Sequence, residues 1–321
     1  MKDFRSVESA RGQFGPSALA IGNFDGVHIG HQALLREAVR YASAHGITPA
    51  ALTFYPHPTA VVAPRHVPLL ICSLEKRIQL LAAAGAERIL VLPFTPEVAR
   101  MSPEEFVSQI LVDALETKAV FVGENFHFGH KQSGTPDVLR GLAERYRFYV
   151  RFLKPVSLRG EIVSSSAIRR YLASGNVSRV GRLLGRCFSL AGPVVTGHGV
   201  GSKQTVPTLN LRSAPDRIVP RGVYVTETVE LPSNRRWESI TNAGFRPTFG
   251  GNELTVETFL LGKWEGDGPQ EIEVRFHHFV RAERQFPSPE ALKQQIFKDV
   301  SVAQKYWRRR TKIGIPAASI Y

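Results

Sequence analysis

Short apolar runs alternate with amphipathic stretches through the first half of the chain. Ala18-Leu19-Ala20-Ile21, Ala50-Ala51-Leu52-Thr53-Phe54, Arg88-Ile89-Leu90-Val91-Leu92, Ala119-Val120-Phe121-Val122 and Phe148-Tyr149-Val150-Arg151-Phe152-Leu153 predict strands. Between them, Leu34, Leu35, Ala38 and Tyr41 share one helical face, Leu74, Ile78 and Leu81 a second, and Phe106, Ile110 and Ala114 a third. Ser73 predicts one helix start. Ser102-Pro103-Glu104-Glu105 predicts another, with Ser as N-cap, Pro at the first position and Glu closing a capping box. Strands alternating with helices of this length imply a parallel sheet covered on both faces. Ligands of such sheets sit beyond the carboxyl ends of the strands.

The pattern changes near Arg186. Prolines, glycines and short alternating runs follow, as in an antiparallel barrel or sandwich. Residues 223–229, 254–261 and 271–276 predict strands. Ser288-Pro289-Glu290 opens a last helix with Leu292, Ile296, Val300, Ala303 and Trp307 as its apolar stripe. Two domains are therefore expected, 1–185 and 186–321.

Composition narrows the class. The 321 residues are 43% hydrophobic, enough for two cores, and no apolar run approaches the ~20 residues of a membrane span. Two distant cysteines, Cys72 and Cys187, fit a reducing cytoplasm, and the N-terminus carries no signal-peptide pattern. The net charge of +13 is diffuse, densest at Arg308-Arg309-Arg310 with Lys312. Such an excess fits polyphosphate substrates or a solvated surface better than nucleic acid, so no nucleic-acid partner is expected.

The chemistry gathers at strand ends. Gly22-Asn23-Phe24-Asp25-Gly26-Val27-His28-Ile29-Gly30-His31 joins the first long strand to a helix. That geometry offers backbone N–H groups and a helix dipole to a phosphate. His28 and His31 are placed to donate to phosphoryl oxygens as charge builds on them. The plainer reading makes them helix caps. Asn125 follows a strand and suits a ribose or phosphate, with Phe126 and Phe128 available to pack on a flat ring or in the core. Ser164, Ser165, Ser166 and Arg169 form a hydroxyl-rich helix start suited to a triphosphate, or a serine-capped helix with a solvated arginine. Gly199, Gly201 and Lys203 lie in a glycine-rich flap that is not a P-loop but can cradle phosphates. Thr208 and Asn210, two apart on an extended segment, are oxygen donors of the kind Mg²⁺ takes beside ATP, or simply a loop.

These segments resemble the motifs of the bacterial bifunctional riboflavin kinase/FAD synthetase family over nearly the whole chain. Residues 22–31 resemble its H-x-G-H signature and 123–129 its G-x-[DN]-F-x-F-G. Residues 163–169 resemble I-S-S-T-x-I-R, and 207–210 resemble P-T-[AL]-N. The chain departs from the pattern at Thr205-Val206, Phe259 and Gly268-Pro269. The resemblance implies a Rossmann-like nucleotidyltransferase domain followed by an antiparallel β-barrel with a C-terminal helix. It implies ATP-dependent phosphorylation of riboflavin to FMN, then adenylylation of FMN to FAD with release of pyrophosphate, both using Mg²⁺. It further implies that Gly22, Asn23, Phe24, Asp25 and Gly26 line the nucleotide turn, that Phe126, Phe128 and Arg281 meet the flavin, and that Glu257, in a V-E-x-x-L-L segment, is the kinase base.

Overall fold

The structure, a computed structural model, describes residues 1–195, 208–248, 251–262, 264 and 268–313; the side chains of 245–248 and 251–253 lie outside that description. It divides into two compact units, Met1–Ser165 and Ser166–Tyr321.

The first unit is built on a parallel sheet. Its strands are β1 (Lys2–Phe4), β2 (Ser17–Ile21), β3 (Thr48–Tyr55), β4 (Arg88–Pro93), β5 (Thr117–Gly123) and β6 (Tyr149–Leu153), in the order β1-β4-β3-β2-β5-β6. Alternation along β2 explains why the sheet needs two covers. Leu19 and Ile21 join one core with Leu52, Leu90, Val120 and Phe106, whereas Ala18 and Ala20 join the other with Leu35, Ala51, Ile89 and Phe121. Helix α1 (Ile29–His45) ends at Gly46 in the left-handed conformation. Helix α2 (Leu74–Ala83) starts where Ser73 accepts from the Lys76 N–H at 3.0 Å. The capping box at Ser102 is formed, with Glu105 accepting from the Ser102 N–H at 2.7 Å and Ser102 accepting from the Glu105 N–H at 3.2 Å. The order reverses at β2, which lies between β3 and β5, so the loops after β2 and β5 open side by side at the strands' carboxyl ends.

The second unit begins at Ser166, within helix α3 (Ser165–Ala173), and continues into helix α4 (Val177–Leu184). Strands β7 (Phe188–Val195), β8 (Thr208–Leu211), β9 (Gly222–Leu231), β10 (Arg236–Thr248), β11 (Gly251–Leu260) and β12 (Glu271–Arg281) close an antiparallel barrel in the order β8-β11-β10-β9-β12-β7. Helix α5 (Pro289–Lys312) follows. Its predicted stripe is only half used. Val300, Ala303 and Trp307 pack on Val223, Val225, Ile240 and Phe259 of the barrel wall. Leu292 and Ile296 stay exposed, as does Phe297. The docked half is anchored by Asp299, whose buried carboxylate pairs with Arg281 at 2.8 Å.

Docking by the second half of α5 predicts a contrast. Trp307 is 4% exposed and Phe297 63% exposed. Trp307→Ala is expected to destabilise the barrel unit by about 3–5 kcal/mol, and Phe297→Ala by under about 0.5 kcal/mol. Urea unfolding followed through the barrel unit checks this; equal effects would place the anchor elsewhere.

Candidate functional site

The turn after β2 is tight enough to leave the favoured backbone regions. Phe24 (φ 49°), Gly26 (φ 82°) and Val27 (φ 39°) lie in the left-handed region. For the two non-glycine residues this costs about 1–3 kcal/mol each. A Cβ at Gly26 would fall 2.9 Å from Ile71 Cγ2, so that position also needs glycine for space. The offset comes from Asp25. Its buried carboxylate accepts from the Ile71 N–H at 3.0 Å and the Cys72 N–H at 3.4 Å. Asp25, expected to face the nucleotide, therefore turns into the protein and fixes the turn. Phe24 is likewise fully buried, its ring edge-on to His31 at 5.2 Å. The Gly22 N–H donates to Leu52 O, and Asn23 O accepts from the Thr53 hydroxyl.

The two histidines are stacked, with ring centroids 3.6 Å apart and planes 16° from parallel. His28 is the N-cap of α1, and its Nδ1 accepts from the His31 N–H at 3.2 Å. That bond places the proton of neutral His28 on Nε2. A Cβ at Gly30 would meet the His28 ring at 3.1 Å, which explains the glycine between the histidines. His31 Nδ1 is buried without a hydrogen-bond partner among the described residues. Burial first, then the neighbouring His28 and Arg77, hold the His31 imidazole well below its usual range, so it is neutral near pH 7. The serine segment reaches the same turn: the Ser165 hydroxyl donates to Asp25 O at 2.9 Å, and Ser164 is half-buried beside it in sequence. Ser166 is exposed and Arg169 half-buried in the first turns of α3, in the second unit.

Asn125 is exposed after β5. Phe126 and Phe128 stack at 5.4 Å, but their roles differ. Phe128 is buried in the core against Phe106, and Phe126 is half-buried on top of it. Phe128 is thus a support and not the ring-facing residue expected.

Arg77 escaped the sequence reading. It sits at an apolar-face position of α2, between Leu74 and Ile78, and is 1% exposed. Its Nη1 donates to Thr53 Oγ1 at 3.2 Å and to Phe54 O at 3.0 Å, while Nε and Nη2 have no partner among the described residues. A charge on a helix's buried face was the available signal.

In the barrel, β8 and β11 bring the predicted kinase residues together. Asn210 is directly opposite Glu257, and Thr208 directly opposite Phe259. Directly paired residues share a face, with Cβ atoms about 4.5–5.5 Å apart. Thr208, Asn210 and Glu257 therefore lie on one face, with Asn242 across from Glu257 on the other side. Two hydroxyl- or amide-type oxygens beside a carboxylate suit a hard cation that shares its shell with phosphates. Among the described residues no group of three or more His, Cys, Asp or Glu is placed to hold a metal alone. Arg281 does not present a free guanidinium to a flavin. It is bidentate on Asp299, with Nε at 2.9 Å and Nη2 at 2.8 Å. Gly199, Gly201 and Lys203 lie outside the described residues.

Residues 11–167 match the family model described as FAD synthetase, and residues 184–307 the one described as riboflavin kinase. The Pseudomonas fluorescens protein named bifunctional riboflavin kinase/FMN adenylyltransferase is 34% identical over 95% of this chain and 97% of its own. The Haemophilus influenzae protein of the same name is 32% identical over 96% and 99%. A solved structure titled macrolide-efflux protein, from Streptococcus pneumoniae, superposes with a TM-score of 0.84 at 25% identity, over 94% of this chain and 98% of that one. Among the described residues of this chain, no helix is long and apolar enough to cross a membrane.

Arg77→Met keeps the side chain's bulk. Loss of two hydrogen bonds is set against relief of a buried charge, so stability should change by no more than about 2 kcal/mol. An anion held by this guanidinium should bind at least about tenfold more weakly, as a charge-assisted bond is worth ~1.5–3 kcal/mol. Because Arg77 is one of the charges depressing His31, the imidazole should also move up toward its ordinary value. Calorimetry with ATP and NMR titration of the histidines check both; an unchanged ATP affinity would leave Arg77 a purely structural residue.

Proposed function

The chain belongs to the bifunctional riboflavin kinase/FMN adenylyltransferase family, and from that membership we propose which residues carry its two reactions. It phosphorylates riboflavin to FMN with ATP and then adenylylates FMN to FAD. We assign the second reaction to residues 1–185 and the first to residues 186–321.

For adenylyl transfer, an FMN phosphate oxygen bonds to the α-phosphorus of ATP as the bond to pyrophosphate breaks. The observation that carries this reading is the stacked His28–His31 pair at the head of α1, with His28 buried and His31 half-buried. Neutral imidazoles keep an N–H to donate to the leaving pyrophosphate, and the α1 dipole adds to it. Ser164 and Ser165 contribute hydroxyls to the triphosphate, and Asn125 a polar contact beside it. Phe126 offers its ring to the flavin.

For the kinase step, the register that sets Asn210 against Glu257 carries the reading. Thr208 and Asn210 would hold Mg²⁺ at the ATP phosphates, where the ion supplies charge neutralisation. Glu257 accepts the proton of the ribityl 5′-hydroxyl as its oxygen attacks the γ-phosphorus. The N–H groups of Gly199 and Gly201 and the Lys203 ammonium would hold the phosphates.

Incubating the purified protein with riboflavin, ATP and Mg²⁺ and separating the products should give FMN and then FAD; neither product would overturn the reading. His28→Ala with His31→Ala should abolish FAD formation from FMN and leave riboflavin phosphorylation intact. Glu257→Gln should lower FMN formation by ~10²–10⁴-fold and leave FMN adenylylation unchanged. A Gln variant with near wild-type kinase activity would make Glu257 an ordinary strand residue.

A further inference from the structure

A polar cavity of about 200 Å³ opens in the barrel unit. It is lined by Ser178 and Arg182 of α4, Cys187, His277 and His278 of β12, and Arg310 of α5. A register shift in the pairing of β9 with β12, between Val225 and Thr226, explains the geometry. Val225 pairs with His278 and Thr226 with Phe276, leaving His277 as an extra residue. A bulge of this kind re-aims side chains, and here both histidines line the same cavity.

His277 is the unusual group. It is 7% exposed, and neither ring nitrogen has a hydrogen-bond partner among the described residues. Its ring is edge-on to Trp307 at 4.7 Å, so packing aims it. Buried polar groups are nearly always satisfied, and an exception points to a water or ion. A cavity of this size has room for either.

The charge around the cavity selects between them. No lining residue is acidic. Arg182 has no carboxylate partner among the described residues, and Arg310 brings a second guanidinium, whose Nη1 donates to the Tyr306 hydroxyl at 3.4 Å. The nearby Glu227 and Glu273 are both held by Arg275, at 2.9 Å and 2.8 Å. Burial first, then Arg310 and Arg275, push the His277 imidazole down to about 3. The field there is positive, and an anion is its natural complement. Burial pushes the Cys187 thiol up to about 12, so it stays protonated and is no competing anion.

We propose that this cavity binds a phosphate-type oxyanion, gripped by the guanidiniums of Arg182 and Arg310 and by a ring N–H of His277. Two guanidiniums converging on one space suit the oxygens of a phosphate. The site lies within Ser166–Tyr321 and uses none of the side chains given a role above in either reaction. Inorganic phosphate and pyrophosphate are the two simplest sources of this chemistry, and the second is released by adenylyl transfer.

The test uses the full chain with isotope-labelled histidine, because phosphate bound elsewhere will not report at His277. His277→Asn assigns its NMR signals. Phosphate and pyrophosphate are titrated at constant ionic strength against chloride. The expected result is a saturable one-site shift of the His277 signals with one or both anions, the tighter of the two identifying the source. Arg182→Met and Arg310→Met should each weaken it at least tenfold. Arg182 is half-buried, so its variant keeps the test available if loss of Arg310 disturbs α5. Signals that do not move, that move equally with chloride, or that saturate identically in the Arg182 variant would overturn the proposal.

Discussion

One buried carboxylate holds the first unit's site in shape. Asp25 receives backbone N–H groups from Ile71 and Cys72, forty-six and forty-seven residues along the chain. The same contact seats the Ile71 side chain against Gly26, and the Gly26 N–H meets Cys72 Sγ at 3.3 Å. The loop before α2 and the turn after β2 thus become one body. That brace offsets part of the cost of the left-handed conformations of Phe24 and Val27. Without it, the start of α1 would lose its fixed aim, and with it the direction of the helix dipole and of both imidazoles. Ser165 leans on the same residue through Asp25 O. A buried acid therefore governs the groups proposed to meet the phosphates.

That arrangement also reconciles two readings of the H-x-G-H motif. Helix cap and phosphate donor, the latter the role proposed for it, are at first sight competing roles for His28. The geometry makes the first a condition of the second: Nδ1 caps the helix, and capping leaves the proton on Nε2. His31 reaches a similar state by burial and by the nearby Arg77, which keep it uncharged. Positive charge comes from Arg77, out of solvent and less screened than a surface cation.

The parts of this protein that were legible in its sequence are the local ones. The apolar runs of the parallel strands, the caps at Ser73 and Ser102, and the His28 cap on the His31 N–H are all written within a few residues. The residues whose surroundings the sequence does not reveal are those whose partner lies far along the chain. Arg281 looks like a ligand residue until Asp299 arrives from a helix eighteen residues on. Phe128 looks like a stacking ring until Phe106 covers it. Apolar-face counting on α2 passed over Arg77 because a charge breaks the count, although its place on that face was the clue. The half-used stripe of α5 fails for a related reason. Periodicity says which face is apolar but not how far the partner surface extends.

The barrel adds a constraint on where its chemistry can be. A closed barrel offers two places for a ligand, its interior or its wall. Here the interior is occupied. Tyr224, Phe188 and Phe276 fill part of it, fully buried. Thr226, Ser239, Thr228, Thr258 and Thr241 form a closed ring of hydroxyls: Thr226–Ser239 2.8 Å, Ser239–Thr228 2.8 Å, Thr228–Thr258 3.0 Å, Thr258–Thr241 2.9 Å and Thr241–Thr226 2.7 Å. Each hydroxyl has one proton to donate, and five bonds among five groups use every proton once. The ring needs no water or ligand to be satisfied, and opening it would leave buried hydroxyls unpaired at roughly 1–3 kcal/mol each. Strand alternation then settles the rest. Thr258 faces inward, so Glu257 and Phe259 beside it face outward, and Asn210 and Thr208 share that face through their register. A site built from these residues is a site on the barrel's wall, and the lumen is its scaffold.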